Sequence, residues 1–448
     1  MPVAPIIHPS DLTWLGASHE VAQGTPAFSV TQGPVWTLPL DASSFDPEDK
    51  PVWLRDIAVR GSAAEVFAIV QGVEDSAWSL GGPVYPNLTN ILLDNMFGDT
   101  TTTVTGGTPG SATTSTGGGY VRNSSGLSLP LASITGFTQA GQVGTIVSST
   151  NANQKEAFIT TGAGAAGAVP IQAPLHFSYP AASTVTPYPV ATLPTSYSTK
   201  YATLNAYDAQ PPGWTLLDST NVTDANADIY GQRYYTSMCL AQLDFTISAE
   251  ALFTQKASGT AWASQPTSIA PVSATSAYSP SVAPNTIPVP SWSSSVSLSL
   301  PVGGGLSVVN YVGEVTFSLK RKLQVYWTND GVQTPYSIAR GPLGVTGTVK
   351  AVVAQDEQVL QSMLKNFQGA LSATVTVPTA SPYPTLEQGN SFTFHVNQAA
   401  FTAAKPNRSQ VLVGYDSTFE GVANSTDVGA TGGLGPVTVT TTGLVAQF

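Results

Sequence analysis

The chain has 448 residues, of which 42% are apolar and only 10% charged, with a net charge of −11. There is apolar material for more than one core, and the excess of acid argues against a surface built to grip nucleic acid. The single cysteine, Cys239, excludes a disulfide framework and a zinc site made of several thiolates; it reads as a small apolar filler in a strand.

The N-terminal text MPVAPIIHPSDLTWLG has no basic region followed by a long apolar run, so no signal peptide is expected. No stretch approaches the roughly 18 apolar residues of a membrane helix, and the product is expected to be cytosolic or released by lysis. Residues 1–30 read as an extended arm, held open by Pro2, Pro5, Pro9 and Pro26. A first module, 31–263, opens with strand text, AFSVTQGPVWTLPL and PVWLRDIAVRGSAAEVFAIVQG. The stretch NLTNILLDNMFGD, residues 87–99, breaks that pattern. Leu88, Ile91, Leu92, Met96 and Phe97 recur at spacings of three to five, which predicts a short amphipathic helix with Asn87 as N-cap and Gly98 as C-cap.

Residues 101–200 are nearly free of charge and low in complexity (TTTVTGGTPGSATTSTGGGY, TTGAGAAGAVP). They read as a surface insertion, part ordered and part flexible, with small strands of its own. Strand text resumes at YATLNAYDAQPPGWTLL and runs through RYYTSMCLAQLDFTISAEALFTQKASGTAW. A Pro- and Ser-rich linker, 264–292, marks the domain boundary. The second module, 293–448, contains EVTFSLKRKLQVYWT, in which Val315, Phe317, Leu319, Leu323, Val325 and Trp327 share one parity and Arg321 is the exception. Such a strand spans roughly 40 Å and reaches beyond an ordinary sheet.

The helix has a second copy in EQVLQSMLKNFQG, 357–369. Val359, Met363, Leu364 and Phe367 fall opposite Leu88, Leu92, Leu93 and Met96, with Asn366 opposite Asn95 and Gly369 opposite Gly98. The flanks are aligned through Thr37 with Thr328, Pro51 with Pro335 and Gln71 with Gln355. After the helices, YATLNAYDAQPP is set against FTFHVNQAAFTAAKP, and AQLDFTISAEALF against VLVGYDSTFEGVA. The chain therefore reads as mainly β: two tandem modules, each a barrel or sandwich with one short flanking helix. These helix and strand residues are the candidates for core and subunit contact.

Little in the sequence points to chemistry. The histidines His8, His19, His176 and His395 have no metal-ligand spacing, and no nucleophile elbow, P-loop or dinucleotide fingerprint occurs. DANADIYG, from Asp224, starts like a calcium loop but has Ile229 where glycine belongs and Tyr235 where the bidentate glutamate belongs. The acidic pairs Glu74-Asp75 and Asp356-Glu357 read as helix-start charges. The basic cluster at 320–322 reads as solvated or as an intersubunit ion pair. No catalytic, cofactor-binding or metal-binding residue is assigned, and no cofactor is expected.

The text ILLDNMFGD, QPPGWTLLD, RYYTSMCLAQLDFTISAEALFTQKASGTAWA and VPSWSSSVSL, with EVTFSLKRKLQVYWTNDGVQTPYSIARGPLGVTGTVKAVVAQDEQVLQSMLKNF and FTAAKPNRSQVLVGYDSTFEGVANSTD, resembles the major tail tube proteins of long-tailed, non-contractile phages, especially those infecting actinobacteria. The insertion has no usual counterpart there. The resemblance implies modules that close into six-membered rings and rings that stack into a hollow tube. Two modules per chain would give a trimer with pseudo-sixfold symmetry, with a hexamer of chains as the alternative. It also implies tape-measure, tail-terminator and distal-tail partners, DNA passing through the lumen without specific binding, assembly in the host cytoplasm and residence in the virion. A non-enzymatic structural role is the expectation. The competing reading is a surface adhesin or carbohydrate-binding β-protein, suggested by the Ser/Thr richness and the insertion.

Overall fold

Alternating apolar and polar residues give this chain strands, and the strands are mostly long and antiparallel. The computed structural model describes residues 14–27, 36–38, 44–57, 65–85, 89–125, 127–205, 213–219, 222–223, 229–230, 233–266, 287–302, 305–308, 312–352, 364–365, 367–379, 388–407 and 414–443. The first part contains β1 (Trp14–His19), β2 (Trp36–Leu38), β3 (Asp46–Asp56), β4 (Ala68–Pro83), α1 (Asn90–Phe97) and β5 (Gly98–Thr105). Next come β6 (Thr113–Thr114), α2 (Arg122–Ser125), β7 (Ser128–Pro130), β8 (Val143–Val147), β9 (Lys155–Ile159), β10 (Ala168–Pro170), β11 (Thr184–Tyr188) and β12 (Ser196–Thr203). They are followed by β13 (Trp214–Ser219), β14 (Val222–Thr223), β15 (Ile229–Tyr230), β16 (Arg233–Ser248), β17 (Thr254–Trp262) and β18 (Gln265–Pro266). The remainder comprises β19 (Ser294–Val302), β20 (Gly305–Val308), β21 (Val312–Tyr326), β22 (Ser337–Val352), β23 (Gln368–Thr376), β24 (Ser391–Asn407), β25 (Gly414–Gly421) and β26 (Thr438–Gly443).

One strand order occurs twice. The first half runs β2-β1-β13-β16-β17-β4-β3. The second runs β20-β19-β23-β24-β25-β22-β21. Three bulges recur at matching places. The ladder slips between Trp214 and Leu216 in the first half and between Gly369 and Leu371 in the second. It slips between Leu240 and Gln242, and between Phe401 and Ala403. It slips again between Pro51 and Trp53, and between Arg321 and Leu323. These slips fix which residues correspond: Leu240 with Phe401, Pro51 with Arg321, Gln71 with Arg340.

That register corrects the flank alignment drawn from the sequence. Pro51 corresponds to Arg321 rather than Pro335, and Gln71 to Arg340 rather than Gln355. The late strands also shift by one: β24 matches β16, not β12, and β25 matches β17. The cause is the insertion, which enters directly after α1 and supplies β12 as an extra strand.

The two halves share one core. Phe245 of β16, Phe317 of β21 and Phe394 of β24 meet at ring-centroid distances of 4.9 and 4.8 Å, with Phe317 and Phe419 at 5.7 Å. At one pair of corresponding sites the bulky partner has changed strands. Trp78 of β4 faces Gly259 of β17, whereas Gly347 of β22 faces Phe419 of β25. A Cβ at Gly259 would lie 1.9 Å from the Cys239 carbonyl oxygen, and one at Gly347 would lie 2.1 Å from that of Thr316.

The insertion forms a β unit of its own. A four-stranded sheet (β6-β11-β8-β9) and a two-stranded one (β7-β10) enclose their own core of Tyr120, Leu129, Phe137, Phe158, Ile171 and Tyr179 among others. Its glycines make turns rather than slack. Gly119, at φ 75°, could carry no Cβ, which would sit 2.1 Å from the Tyr179 carbonyl oxygen. Strands β5 and β12 pair with each other, and β12 joins β26 and through it β24.

Candidate functional site: a buried helix junction and two open edges

Helix α1 ends as its sequence dictates. Gly98 adopts φ 83°, and its N–H donates to the Asp94 carbonyl. The other end differs from expectation: Asn87 and Leu88 lie outside the described residues, and Thr89 precedes the helix without a side-chain cap bond. Nor is the helix amphipathic in place, because all its residues, Asn90 through Phe97, are buried. Leu92, Leu93 and Met96 enter the main core with Ile91 and Phe97. Asn95 and Asp94 are buried beside partners. Asn95 Nδ2 donates to the Met238 carbonyl at 3.1 Å, and Asn95 Oδ1 accepts from the Leu240 N–H at 2.9 Å.

The second half supplies the helix with cations. Arg340 Nη1 donates to the Asn95 carbonyl at 3.0 Å, and Arg321 Nη2 to the Phe97 carbonyl at 3.2 Å. Two guanidinium groups at a helix C-terminus satisfy carbonyls that the helix cannot, and they complement its dipole. Burial and the neighbouring Arg340 bring the Arg321 pKa down to about 10. Arg321 was the exception to the strand's alternation and part of a basic cluster read as solvated; it is instead a buried helix cap.

The far side of α1 meets the insertion. Asp94 Oδ1 lies 2.7 Å from His176 Nε2, Asp94 Oδ2 lies 3.6 Å from His19 Nε2, and the Thr100 hydroxyl donates to Asp94 Oδ1 at 2.5 Å. His176 Nδ1 lies 2.7 Å from Glu156 Oε2. With a carboxylate at each ring nitrogen, both nitrogens donate and His176 is an imidazolium. Burial would lower its pKa, but Asp94 and Glu156 hold it up at about 10. Burial likewise would raise Asp94, and His176 and His19 bring it down to about 2. Glu156 also accepts from the N–H groups of His176 and Phe177 and from the Tyr179 hydroxyl. No sequence pattern marks this cluster, whose members lie far apart in the chain and join only where the insertion meets the helix.

The candidate assembly residues divide. Val315, Phe317 and Leu319 are fully buried. Beyond the bulge, Leu323 and Val325 are half-buried and Trp327 is exposed, so the shared parity is not one continuous core face. Leu364 and Phe367 are 72% and 40% exposed. Val359 and Met363 lie outside the described residues, as do Asp356-Glu357 and Asp224 to Asp228. Glu74 and Asp75 sit inside β4, not at a helix start.

The strand edges at the junction of the halves differ in their pairing. Strand β16 pairs over Gln242–Ser248 with Lys320–Glu314 of β21, which joins the halves. The corresponding stretches are Ala403–Asn407 of β24 and Asp46–Lys50 of β3. Among the described residues, β24 there pairs only with β25, and β3 only with β4. Near these edges the hairpin arm exposes Val52, Trp53, Leu54, Ile69 and Val70. The β21–β22 arm exposes Tyr326, Val332 and Tyr336. No helix among the described residues is long and apolar enough to cross a membrane. No protein-family model matches the sequence, and no curated protein matches it.

Proposed function

We propose that this chain is a structural subunit that joins copies of itself head to tail into a closed ring, and that stacked rings form the tail tube of a long-tailed phage. One observation carries the reading. The β16–β21 contact inside the chain has a counterpart, one edge from each half on β24 and β3, that no strand occupies among the described residues. A contact between two different surfaces repeats from copy to copy, and it ends in a ring when the rotation closes. With two units per chain, three chains give six units, as the resemblance to tail tube proteins implies.

The corresponding residues make the contact specific. Asp244 lies opposite Ser318 in the internal junction; the matching residues across the external one are Lys405 and Glu48, of opposite charge. Pro47, Pro51 and Pro406 lie on the two edges and offer no N–H, so an unrelated strand cannot complete a ladder there. Packing and the charge pair then carry more of the contact than main-chain bonds do. The same correspondence gives the second helix copy a partner. In the chain, the arm carrying Arg321 and Arg340 covers α1; the matching arm, carrying Pro51 and Gln71, would cover Leu364 and Phe367 of the next chain. The exposed apolar tips of both arms supply contacts between stacked rings. The net charge of −11 suits a lumen through which DNA slides without sticking.

Negative-stain imaging and mass measurement of the concentrated protein test this. Rings or tubes with threefold modulation of a sixfold pattern are expected. A hexamer of chains would refute the stoichiometry, and a monomer at high concentration would refute the ring. Lys405→Glu should abolish rings, and Lys405→Glu with Glu48→Lys should restore them; failure of the double variant would refute the register.

A further inference from the structure

We propose that His19, Asp94 and His176 form a binding site for one divalent transition-metal ion of the zinc class, which fastens the insertion to the body of the molecule. The donor atoms of the three residues all lie within 4.8 Å of one another, and all three residues are buried. Both imidazoles direct Nε2 at the same carboxylate, at 2.7 and 3.6 Å. Their rings cross at 81° with centroids 5.9 Å apart, so they converge on a shared point rather than stack.

The donor set decides the metal. Two imidazole nitrogens and a carboxylate oxygen suit zinc and its neighbours and give calcium or magnesium too few oxygens. Zinc-to-ligand distances of about 2.0–2.2 Å place neighbouring ligands roughly 3.4 Å apart. The His19–Asp94 separation of 3.6 Å already meets this, and the His176–Asp94 separation of 2.7 Å has to open by less than about 1 Å. The surrounding partners are those that metal sites use. Glu156 accepts the hydrogen bond of His176 Nδ1–H and so fixes Nε2 as the ligand atom, and Thr100 orients Asp94. A metal ion takes neutral imidazole as ligand, so binding displaces the Nε2 proton of His176 to solvent.

The ligands come from β1, from α1 and from the segment between β10 and β11 of the insertion. All three ligands are buried, so the ion would act as a fastener. The inference does not depend on ring assembly, and its test does not read it.

The test uses the full-length chain without an affinity tag, stripped with chelator and titrated with zinc by calorimetry and with cobalt by visible absorption. The expected result is one zinc per chain, a cobalt ligand-field spectrum, and a zinc-dependent rise in Tm of about 2 °C or more. His19→Gln leaves the His176 bridge intact and should fold, yet lose at least tenfold in affinity together with the Tm rise. Glu156→Gln should weaken binding about 10–100-fold. Absence of saturable binding to the folded wild type would overturn the site, as would His19→Gln binding as tightly as wild type.

Discussion

The two halves have the same strands in the same order, yet one is finished and the other is not. In the first half, α1 is enclosed: the arm of the second half covers one side with Arg321 and Arg340, and the insertion covers another through His176. In the second half, Leu364 and Phe367, from the stretch read in the sequence as the helix copy, are exposed. A duplicated unit thus satisfies its first junction internally, and in the proposed ring the second is left for another molecule. The bulges likewise have matching carboxylates. In the first half Ser237 N–H donates to Glu20 at 2.7 Å; in the second, Asn397 N–H donates to Asp427 at 2.6 Å.

The comparison breaks most sharply at the exchanged aromatic. Trp78→Ala and Phe419→Ala should each cost about 3–5 kcal/mol in urea unfolding, since each empties the same space from the opposite strand. Gly259→Ala and Gly347→Ala should each cost about 3 kcal/mol, because the new Cβ meets a backbone oxygen that cannot move alone. Gly81→Ala, whose Cβ would have 3.6 Å to the nearest atom, should cost within about 1 kcal/mol and serves as control. If Gly347→Ala matched Gly81→Ala instead of Gly259→Ala, the two sites would not be equivalent.

These equivalences also mark what the sequence could reveal. Period-two alternation made the β character legible, as in Val315, Phe317 and Leu319. The left-handed cap at Gly98 was legible because few residues other than glycine tolerate that backbone. The strand alignment failed because sequence similarity is blind to pairing: a unit inserted after α1 shifts each later strand by one, and only the ladder slips reveal it. Gly-rich text read as slack because turn glycines and flexible glycines look alike until their φ angles are known. Arg321 and the His19–Asp94–His176 cluster were unreadable for one reason: their partners are distant in the chain, and a buried charge is intelligible only beside what neutralises it.

The bulge carboxylates separate the halves by pH. Burial pushes Glu20 up to about 7, against hydrogen bonds from Ser237, Thr215 and Gly24. Its folded-state pKa exceeds the unfolded value, so its contribution is fully present below pH about 4.5 and is lost as pH rises through 7, on the order of 3 kcal/mol in all. Asp427 runs the other way. Burial would raise it, but His395, Asn397 and Asn424 hold it below the usual range, so its contribution is present at neutral pH and is lost as pH falls below about 4. Hydrogen exchange at the two bulges, followed against pH, should show the first-half bulge loosening toward pH 8 and the second toward pH 3. A common trend at both would contradict the assignment.

The helix caps come next in size. Arg321→Met and Arg340→Met should each cost about 1.5–3 kcal/mol, since each removes a charged donor from a buried helix carbonyl. Gln71→Ala, at the position matching Arg340, should change monomer stability by less than about 0.5 kcal/mol, because in one chain that arm covers no helix. The arm's contacts with Gln333 run through the backbone of Gln71 and Glu74 and survive the substitution, so a cost as large as that of Arg340→Met would mean that the Gln71 side chain caps a helix within its own chain.

The smallest effect on the fold should accompany the largest effect on assembly. Leu364→Ser and Phe367→Ser alter residues that are 72% and 40% exposed in the single chain, so unfolding of dilute monomer should shift by no more than about 0.5 kcal/mol. In a ring, those side chains would be covered by the neighbouring arm at Pro51 and Gln71. Losing two apolar anchors at the centre of such a contact removes a hot spot, so the variants should remain monomeric at concentrations where wild type forms rings. Sedimentation velocity across a concentration series reads both states directly. If Leu364→Ser and Phe367→Ser assembled as readily as wild type, the second helix copy would not be the acceptor for the arm, and the correspondence between internal and external junctions would fail at the place where the two halves differ most.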